Sequence, residues 1–508
     1  MAGFFKRNSI GGTSIKMNGT ILGMIGNDIL MQDNDTQPNR NIIGFGGPGS
    51  RKTQSVVLTN IFSETENSIV VTDPKGNVYE KTVWTKIKQG YTPYLINFDD
   101  MVHSNWYNPF DYISRDIHAN EVANKIVESG NKESKKDIWY YSQRALLKAL
   151  ILYVIHESPP VDRNLRGIIQ MLQFFDMEKD DAGKSELDKT FGKLDIAHPA
   201  RRAYDLGIKK AKGETHSGIV ISLLTTLADY VDEEVANFTS FSDFDLKDIG
   251  RKKIILYIKI PVLKKTFEPL TNLFLTQLFD QLYELGDENF SKLPRNVDFI
   301  LEEFVNLGEF PNYEEFLATC REYGIGVITI CQTLTQLQSR YGREKAESIL
   351  GNNAVKICIS AANNTTAKYF SELLGKATVK VETGGRSHSQ SNYESTGTND
   401  NYSYISRDLM TPDEIQNMPI EDEIIHFTGK KAMRIKKAFQ YNLFPHADEH
   451  LISRHEYTRK SEKKQLDQFK AKEIAFMRKT EQRIKKLQSN ADSFKEIDKN
   501  ELDMFFKI

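Results

Sequence analysis

Short apolar runs that end in polar residues recur along the chain and alternate with stretches of helical periodicity. They occur at Ile42–Phe45, Ser68–Asp73, Tyr94–Phe98, Ile254–Ile260, Val297–Leu301, Gly326–Ile330 and Val355–Ile359. Continuous apolar runs of this length are typical of strands buried on both faces, as in parallel sheets whose connections are helices. The pattern therefore predicts an α/β fold in which a parallel sheet is covered by helices.

One long stretch departs from this alternation. Between about Ile113 and Ser217 the strand signals vanish, and helical patterns such as Tyr140–Ile155 and Leu165–Phe175 take over. This change predicts an all-helical insertion in the α/β domain. We expect four parts: a polar segment at 1–40, the α/β domain at 41–112 and 218–445, the all-helical domain at 113–217, and a charged helical tail at 446–508.

Two polar regions in the second half of the chain give a less definite indication of their structure than the apolar runs do. The stretch Thr383–Ser406 is rich in Ser, Asn and Gly, which predicts a mobile loop rather than a binding element. The basic stretch Arg459–Leu487 has an apolar stripe at helical spacing, which fits a helix packed on its own domain or one that docks a partner. Four residues that precede this stretch have side chains that could ligate a metal, but we expect them to belong to an ordinary surface helix: His446, Glu449, His450 and His455.

Composition narrows the class of protein. With 508 residues, 39% of them hydrophobic, the chain is folded and too long for one compact core. A net charge of −2 restricts any nucleic-acid contact to local patches. The three cysteines lack CxxC spacing, which favours a reducing compartment, and apolar stretches such as Ala145–Ile155 fall far short of the ~20 residues that span a bilayer. We expect a cytosolic protein.

The segment GGPGSRKT, from Gly46 to Thr53, matches the phosphate-binding P-loop G-x-x-x-x-G-K-[ST] except that Arg51 replaces the second glycine. In such loops backbone N–H groups surround the phosphates, the lysine reaches the β- and γ-phosphates, and the last hydroxyl ligates Mg²⁺. The segment therefore predicts a site for ATP and Mg²⁺. Its nucleotide-binding residues would be Gly46, Gly47, Gly49, Ser50, Lys52 and Thr53, with Thr53 also a metal ligand.

A rival interpretation fits the same glycines. Residues 44–49 also match the dinucleotide fingerprint G-x-G-x-x-G, and Asp73 ends the next strand where a ribose-binding acid would lie. The segment Phe299–Glu303 favours the P-loop, because an apolar strand ending in two acids is the Walker B arrangement. The two acids would order the metal and polarise the attacking water. Glu302 would bind the metal either directly or through water, because its side chain is one methylene longer than the usual aspartate, and Glu303 would act on the water.

Two further polar residues follow the Walker B strand. Arg321 lies 19 residues beyond Glu302, and Gln332 lies 30 residues beyond it at the end of a strand. A strand-terminal glutamine can sense the γ-phosphate, and an arginine can act as a finger across a subunit boundary. We therefore take Lys52, Glu303, Arg321 and Gln332 as the candidate catalytic residues.

The sequence resembles the type IV coupling proteins of conjugation and secretion systems (TraG/TraD-like) over about Asn41–Lys437. The resemblance rests on GGPGSRKT, VVTDPKGNVYEKT, WYNPFDYI, LEEFVNLGEFPNYEEFLATCREYGIGVITICQTLTQLQSRYG, ILGNNAVKICISAANNTTAKYFSELLGKATV and DLMTPDEIQNMP. It implies a RecA-like P-loop NTPase domain interrupted by an all-helical domain, assembled as a homo-hexameric ring through which DNA passes. By motif position it assigns Lys52, Thr53, Glu302, Glu303, Arg321 and Gln332 the roles given above.

The resemblance also implies a function. The protein would be an ATPase that recruits relaxase-bound DNA and drives the transfer of this DNA to the membrane channel of a type IV secretion system. Its implied partners are DNA, relaxosome proteins, the secretion channel and a separate membrane anchor protein, which would hold it at the inner face of the cell membrane. Many members begin with transmembrane helices that this sequence lacks, so the anchor has either been removed or resides in that partner.

Two departures from the family pattern leave alternatives open. Arg51 has a Cβ where a glycine lets the backbone approach phosphate, and Glu302 replaces the usual aspartate of Walker B. A substrate receptor that hydrolyses ATP poorly is one alternative. A dinucleotide-dependent Rossmann enzyme is the other.

Overall fold

The computed structural model describes residues 7–9, 19–34, 39–130, 137–174, 185–208, 214–261, 266–308, 310, 312–389, 395–457 and 478. Contacts divide the chain between Tyr457 and Thr458, and the fold below is that of the first part. Most of the predicted basic helix Arg459–Leu487 lies outside the described residues. Within these residues no helix is both long and apolar enough to cross a membrane.

The strands belong to one large sheet and one ribbon. They are β1 (Arg7–Ser9), β2 (Gly19–Ile25), β3 (Asp28–Asp33), β4 (Ile42–Phe45), β5 (Ser68–Thr72), β6 (Thr92–Asn97), β7 (Ile254–Lys259), β8 (Val297–Leu301), β9 (Ile325–Cys331), β10 (Val355–Cys358), β11 (Lys376–Ser389), β12 (Ser395–Asp408), β13 (Asp422–Phe427) and β14 (Met433–Lys436). In the described residues the large sheet has the order β1-β3-β2-β14-β13-β10-β4-β9-β8-β5-β7-β6.

The seven strands from β10 to β6 in this order are parallel, and they are the seven predicted from apolar runs. Every residue of β7 and β9 is buried, which explains why the sequence shows continuous apolar runs instead of alternation. The remaining neighbours in the sheet are antiparallel. The prediction of a helix-covered parallel sheet is confirmed.

Helices connect the parallel strands and fill the insertion. They are α1 (Leu58–Ser63), α2 (Asn77–Lys88), α3 (His118–Gly130), α4 (Ile138–Glu157), α5 (Leu165–Phe174), α6 (Glu186–Lys193), α7 (Pro199–Gly207), α8 (Glu214–Leu227), α9 (Glu233–Phe238), α10 (Glu268–Asp287), α11 (Tyr313–Thr319), α12 (Leu334–Tyr341), α13 (Arg343–Gly351), α14 (Asn364–Leu374), α15 (Pro412–Gln416) and α16 (Gln440–Leu443). A π-helical turn, Thr53–Val57, leads into α1.

The described residues between β6 and β7 contain helices only, from α3 to α9. Helix α4 is the centre of this insertion: Asp137 caps its first turn by accepting from the Tyr140 N–H at 3.0 Å, and its buried side chains pack against α3, α7 and α8. Helix α8 runs through residue 217, so the helical region continues beyond the predicted edge of the insertion. Its core is continuous with that of the sheet.

The first 40 residues contain strands that the sequence pattern did not predict. Strands β2 and β3 form a hairpin that joins the sheet through β14, with Met24 opposite Lys436. The side chain of Asn60 fastens β2 by accepting from the Ile21 N–H at 2.7 Å and donating to the Ile21 carbonyl at 3.0 Å. The N-terminal segment therefore completes one edge of the sheet.

The prediction of a loop at Thr383–Ser406 is wrong for residues 383–389 and 395–406, which form strands, while residues 390–394 lie outside the described part of the chain. Strands β11 and β12 form an antiparallel ribbon with a continuous register from Lys376 opposite Asp408 to Ser389 opposite Ser395. Polar composition hid these strands because the ribbon forms a sheet of its own, so an apolar face was not required to pack it on the core.

Candidate functional site

The order of the sheet brings three of the sequence motifs to one edge. Strand β9 lies between β4 and β8, and all three are parallel. The P-loop follows β4, Glu302 follows β8, and Gln332 follows β9. Because ligands bind at the carboxyl ends of parallel strands, these residues share one candidate site.

The same strand order excludes the dinucleotide interpretation. In a Rossmann fold the strand that carries the ribose-binding acid lies next to the strand of the glycine loop. Here Asp73 follows β5, which is separated from β4 by β9 and β8. At the usual strand spacing, three positions correspond to about 14 Å. Asp73 therefore cannot serve a ribose held over the glycines of residues 44–49.

Close packing explains the glycines of the P-loop. A Cβ on Gly47 would lie 2.7 Å from the Cβ of Ala362, and the Gly47 N–H donates to Ser360 Oγ at 3.1 Å. Gly49 has a φ of +78°, a value that glycine adopts at low cost. The helix that begins directly after the loop presents N–H groups without intrahelical partners, which is the arrangement that binds phosphate.

Arg51 has a backbone conformation that glycine adopts more readily than a residue with a Cβ. Its φ is +62°, in the left-handed region, which costs a residue with a Cβ about 1–2 kcal/mol. The side chain turns away from the loop: the guanidinium lies 5.6 Å from the ring centroid of Phe439 and donates to Tyr441 Oη at 3.2 Å. These contacts offset part of the backbone cost.

We expect Arg51→Gly to leave ATP hydrolysis equal to wild type or higher. Glycine relieves the positive φ but loses the contacts to Phe439 and Tyr441, so the free energy of unfolding should change by less than about 1 kcal/mol. Steady-state hydrolysis and urea denaturation measure the two quantities. A loss of hydrolysis beyond tenfold would show that the guanidinium has a role of its own in the site.

Lys52 and Thr53 face the Walker B acids. The Nζ atom of Lys52 lies 3.4 Å from the Gly46 carbonyl oxygen and 3.8 Å from Glu303 Oε1, and Thr53 Oγ1 donates a short hydrogen bond to Glu302 Oε1. A hydroxyl and a carboxylate in contact form the oxygen donor set that P-loop proteins use for Mg²⁺. The extra methylene of Glu302 therefore does not separate it from Thr53, and these two residues fit the metal.

Burial raises the pKa of Glu302 to about 7. The negative charges of Asp73 and Glu303 raise this pKa further, whereas the hydrogen bond from Thr53 and the charge of Lys52 oppose the rise. A carboxyl group with such a pKa holds a proton part of the time at neutral pH. A cation between Glu302 and Thr53 would displace that proton.

Asp73, which the sequence offered only as the ribose-binding acid of the excluded dinucleotide interpretation, is a third carboxyl group at this edge. It is almost completely buried, its Oδ2 accepts the Tyr79 N–H at 2.8 Å, and within the described part of the chain its Oδ1 has no hydrogen-bond partner. Burial raises its pKa to about 6. In the sequence, the signal that could have pointed to Asp73 was its position directly after the apolar run of β5. In the fold, β5 lies next to the Walker B strand β8.

Gln332 and Arg321 lie at opposite ends of β9. Gln332 follows the carboxyl end beside the P-loop, where its Oε1 accepts from Gln336 Nε2 at 3.3 Å. Arg321 lies exposed in the turn before β9, a strand of seven residues that is about 20 Å long. The structure thus places Gln332, but not Arg321, with the P-loop of the same chain.

This chain is similar in sequence to a known protein family and to some of its members. The model of the family described as Type IV secretory system Conjugative DNA transfer matches residues 9–486. Conjugal transfer protein TraG of Escherichia coli is 27% identical over 405 residues, which cover 74% of this chain and 61% of TraG. Protein VirD4 of Rhizobium radiobacter is 24% identical over 395 residues, which cover 74% of this chain and 54% of VirD4. The chain spans less than two thirds of the length of these relatives.

Solved structures of low sequence identity share the fold. The unbound bacterial conjugative coupling protein TrwBdeltaN70 is similar with a TM-score of 0.57 and 16% identity, covering 84% of this chain and 90% of that one. Plasmid coupling protein TrwB in complex with ADP and Mg²⁺ gives a TM-score of 0.56 and 16% identity, covering 86% and 95%. These similarities confirm the predicted RecA-like P-loop fold class.

Proposed function

We propose, since this chain belongs to the Type IV secretory system Conjugative DNA transfer family, that it is a coupling-protein ATPase that drives relaxase-bound DNA to a membrane channel. The observation that carries the ATPase assignment is the contact between Thr53 and Glu302 beside the amine of Lys52. Two segments that are about 250 residues apart in sequence meet there in the arrangement of a P-loop and a Walker B strand. ATP and Mg²⁺ are the proposed cofactors.

In this proposal each residue has a separate task. Lys52 would bind the β- and γ-phosphates together with the N–H groups of the loop, and Thr53 and Glu302 would hold an Mg²⁺ ion whose positive charge would offset that of the phosphates. Glu303 orients the attacking water and accepts its proton. Its backbone has a φ of +51°, and its Oε2 accepts from Asn306 Nδ2 at 2.9 Å, so the carboxylate is held in one place. Gln332 contacts the γ-phosphate.

A ring of identical subunits, a homo-hexamer in the active state, is part of the proposal. Arg321 is exposed about one strand length from the phosphate site of its own chain. A neighbouring subunit can present this arginine to the phosphates, which makes the site complete only in the ring. Electron microscopy of the protein with ATP and DNA tests the assembly, and a protein that stays monomeric under those conditions contradicts it.

We further propose that the protein works at the inner face of the cell membrane, bound to a membrane anchor protein and to channel components. The family itself supports this location, because its description joins secretion with DNA transfer. The three cysteines are buried free thiols, which agrees with a reducing cytosol. Fractionation with and without the cognate secretion genes tests the requirement for a partner.

Magnesium-dependent ATP hydrolysis by the purified protein, with and without single-stranded DNA, is the direct test of the proposed activity. We expect turnover that requires Mg²⁺ and rises with DNA. The receptor alternative predicts tight ATP binding without turnover. The glycine-like backbone of Arg51 and the direct contact of Glu302 with Thr53 favour turnover.

Glu302→Gln should abolish Mg²⁺-dependent hydrolysis and also change the pH dependence of stability. The folded protein keeps a proton on Glu302 up to a pKa of about 7, whereas its ordinary value is 4.5. The folded state therefore binds more protons between these values, and the free energy of unfolding falls as pH rises through this window, by on the order of 3 kcal/mol from this group. Urea denaturation at several pH values without nucleotide measures the slope.

The matched control for this experiment is Glu347→Gln, which removes an exposed acid on α13. It should leave the slope as in wild type, whereas Glu302→Gln should flatten it. Equal slopes in Glu302→Gln and wild type would contradict the assignment of a buried, proton-holding carboxyl group at the metal site.

A further inference from the structure

A short segment near the end of the described chain crosses the start of α2. We call residues 451–457 the strap. The Ile452 N–H donates to the Glu80 carbonyl at 3.1 Å, and Arg454 Nη1 donates to Glu80 Oε1 at 3.1 Å and to the Lys75 carbonyl at 3.4 Å. Tyr457 packs edge-on against Tyr79, with 6.1 Å between ring centroids. The strap thus lies against the turn that follows Asp73.

The strap also carries His455 to a pair of residues that follow β6. Asp100 caps the 3-10 turn Met101–His103, and its Oδ2 lies 2.9 Å from His103 Nδ1 and 3.3 Å from His455 Nδ1. The two imidazole rings stand nearly perpendicular, with their centroids 5.8 Å apart. Two histidines from segments more than 350 residues apart therefore converge on one carboxylate oxygen.

This convergence has the dimensions of a metal site. One ligand atom from each of the three side chains lies within 4.8 Å of the others. At bond lengths of about 2.1 Å, two ligands of a tetrahedral ion are about 3.4 Å apart, close to the observed 2.9 and 3.3 Å. All three side chains are partly exposed, so an ion can enter from solvent and keep one position for water.

The donor set decides which class of ion fits. Two imidazole nitrogens and one carboxylate oxygen match the ligands of Zn²⁺ in sites with three protein ligands, and they also suit Ni²⁺ and Co²⁺. Mg²⁺ and Ca²⁺ prefer oxygen ligands throughout. Mg²⁺, which the nucleotide site requires, would therefore not compete with a transition metal ion for these three ligands.

We propose that Asp100, His103 and His455 bind one divalent transition metal ion, zinc by preference, which fastens the strap to the turn after β6. In the metal-free protein Asp100 holds the two imidazoles through hydrogen bonds. With the ion bound, these contacts are replaced by metal–ligand bonds, and the strap resists detachment from α2.

The test is calorimetric titration of Zn²⁺ into chelator-treated full-length protein without a histidine tag, in excess Mg²⁺. We expect one ion per chain. His455→Ala and Asp100→Asn each remove a direct ligand, so each should weaken binding by more than the ~10–100-fold that loss of an outer-shell partner costs. Co²⁺ should report nitrogen and oxygen ligands in its visible spectrum in wild type only.

The matched control is His446→Ala, since His446 pairs with Glu449 in the same C-terminal region and does not belong to the group of three ligands. It should retain wild-type Zn²⁺ affinity. Binding of ATP should be unaffected in all variants, which shows that they fold. Absence of stoichiometric Zn²⁺ binding in wild type, or an equal loss in His446→Ala and His455→Ala, would overturn the proposal without touching the proposed ATPase.

Discussion

Arg321→Ala should bind ATP with nearly wild-type affinity and lose hydrolysis by about 10³–10⁵-fold, the range typical of arginine fingers. In the proposed ring the guanidinium would stabilise charge that develops in the transition state, so the affinity for ATP in the ground state should barely change. Its position before β9 places it at the opposite edge of the sheet from its own P-loop. Binding of a fluorescent ATP analogue and steady-state hydrolysis separate the two effects.

The control for this variant is Arg343→Ala, which removes an exposed arginine paired with Glu347 on α13 at 3.3 Å. Its hydrolysis should equal that of wild type. Mixing Arg321→Ala with Lys52→Ala protein should recover part of the activity, because a mixed ring can pair an intact phosphate site with an intact finger. If no mixing ratio restores hydrolysis in rings shown to exchange subunits, Arg321 acts within its own chain or is structural.

Lys52→Ala should lower hydrolysis by at least ~10²–10³-fold, the cost of removing one preorganised donor from a transition state, and should abolish DNA transfer. The folded structure should survive, because the lysine makes only long contacts of 3.4 and 3.8 Å to Gly46 and Glu303 within the described residues. Conjugation frequency, hydrolysis and thermal unfolding measure the three outcomes.

Lys252→Ala is the matched control, since Lys252 is an exposed lysine paired with Asp248 at 2.8 Å before the amino end of β7. It should transfer DNA as wild type does. Wild-type transfer by Lys52→Ala, in cells where the variant accumulates normally, would refute the ATPase assignment.

The sequence predicted those parts of the fold whose burial leaves a local pattern. Strands such as β7 and β9 are buried on both faces, so their apolar runs are visible in any window. The hairpin of β2 and β3 was not predicted, because it lies towards one edge of the sheet and its strand Gly19–Ile25 includes two glycines. The β11–β12 ribbon was not predicted because it is a separate two-stranded sheet, and its polar sequence shows no apolar strand pattern.

The residues of the candidate site also fall into two groups: those that a local motif reveals and those that only the fold brings together. The P-loop and the pair Glu302–Glu303 are local motifs, and the sequence predicted that they share one site. The approach of Asp73 to Glu302 depends on β5 lying next to β8, which no short window of sequence contains. The cluster of Asp100, His103 and His455 depends on the path of the strap across α2, so His455 looked like one of several surface histidines.

The position of β4 has a consequence for synthesis of the chain. Its neighbours in the sheet are residues 328–331 and 355–358, so the nearer one is made about 280 residues after β4 itself. At translation rates of 5–20 residues per second, the P-loop strand waits roughly 15 seconds to 1 minute for its first partner. A nascent chain stalled before that point already carries Lys52 and Thr53, yet it lacks the neighbouring strands that complete the candidate site around them.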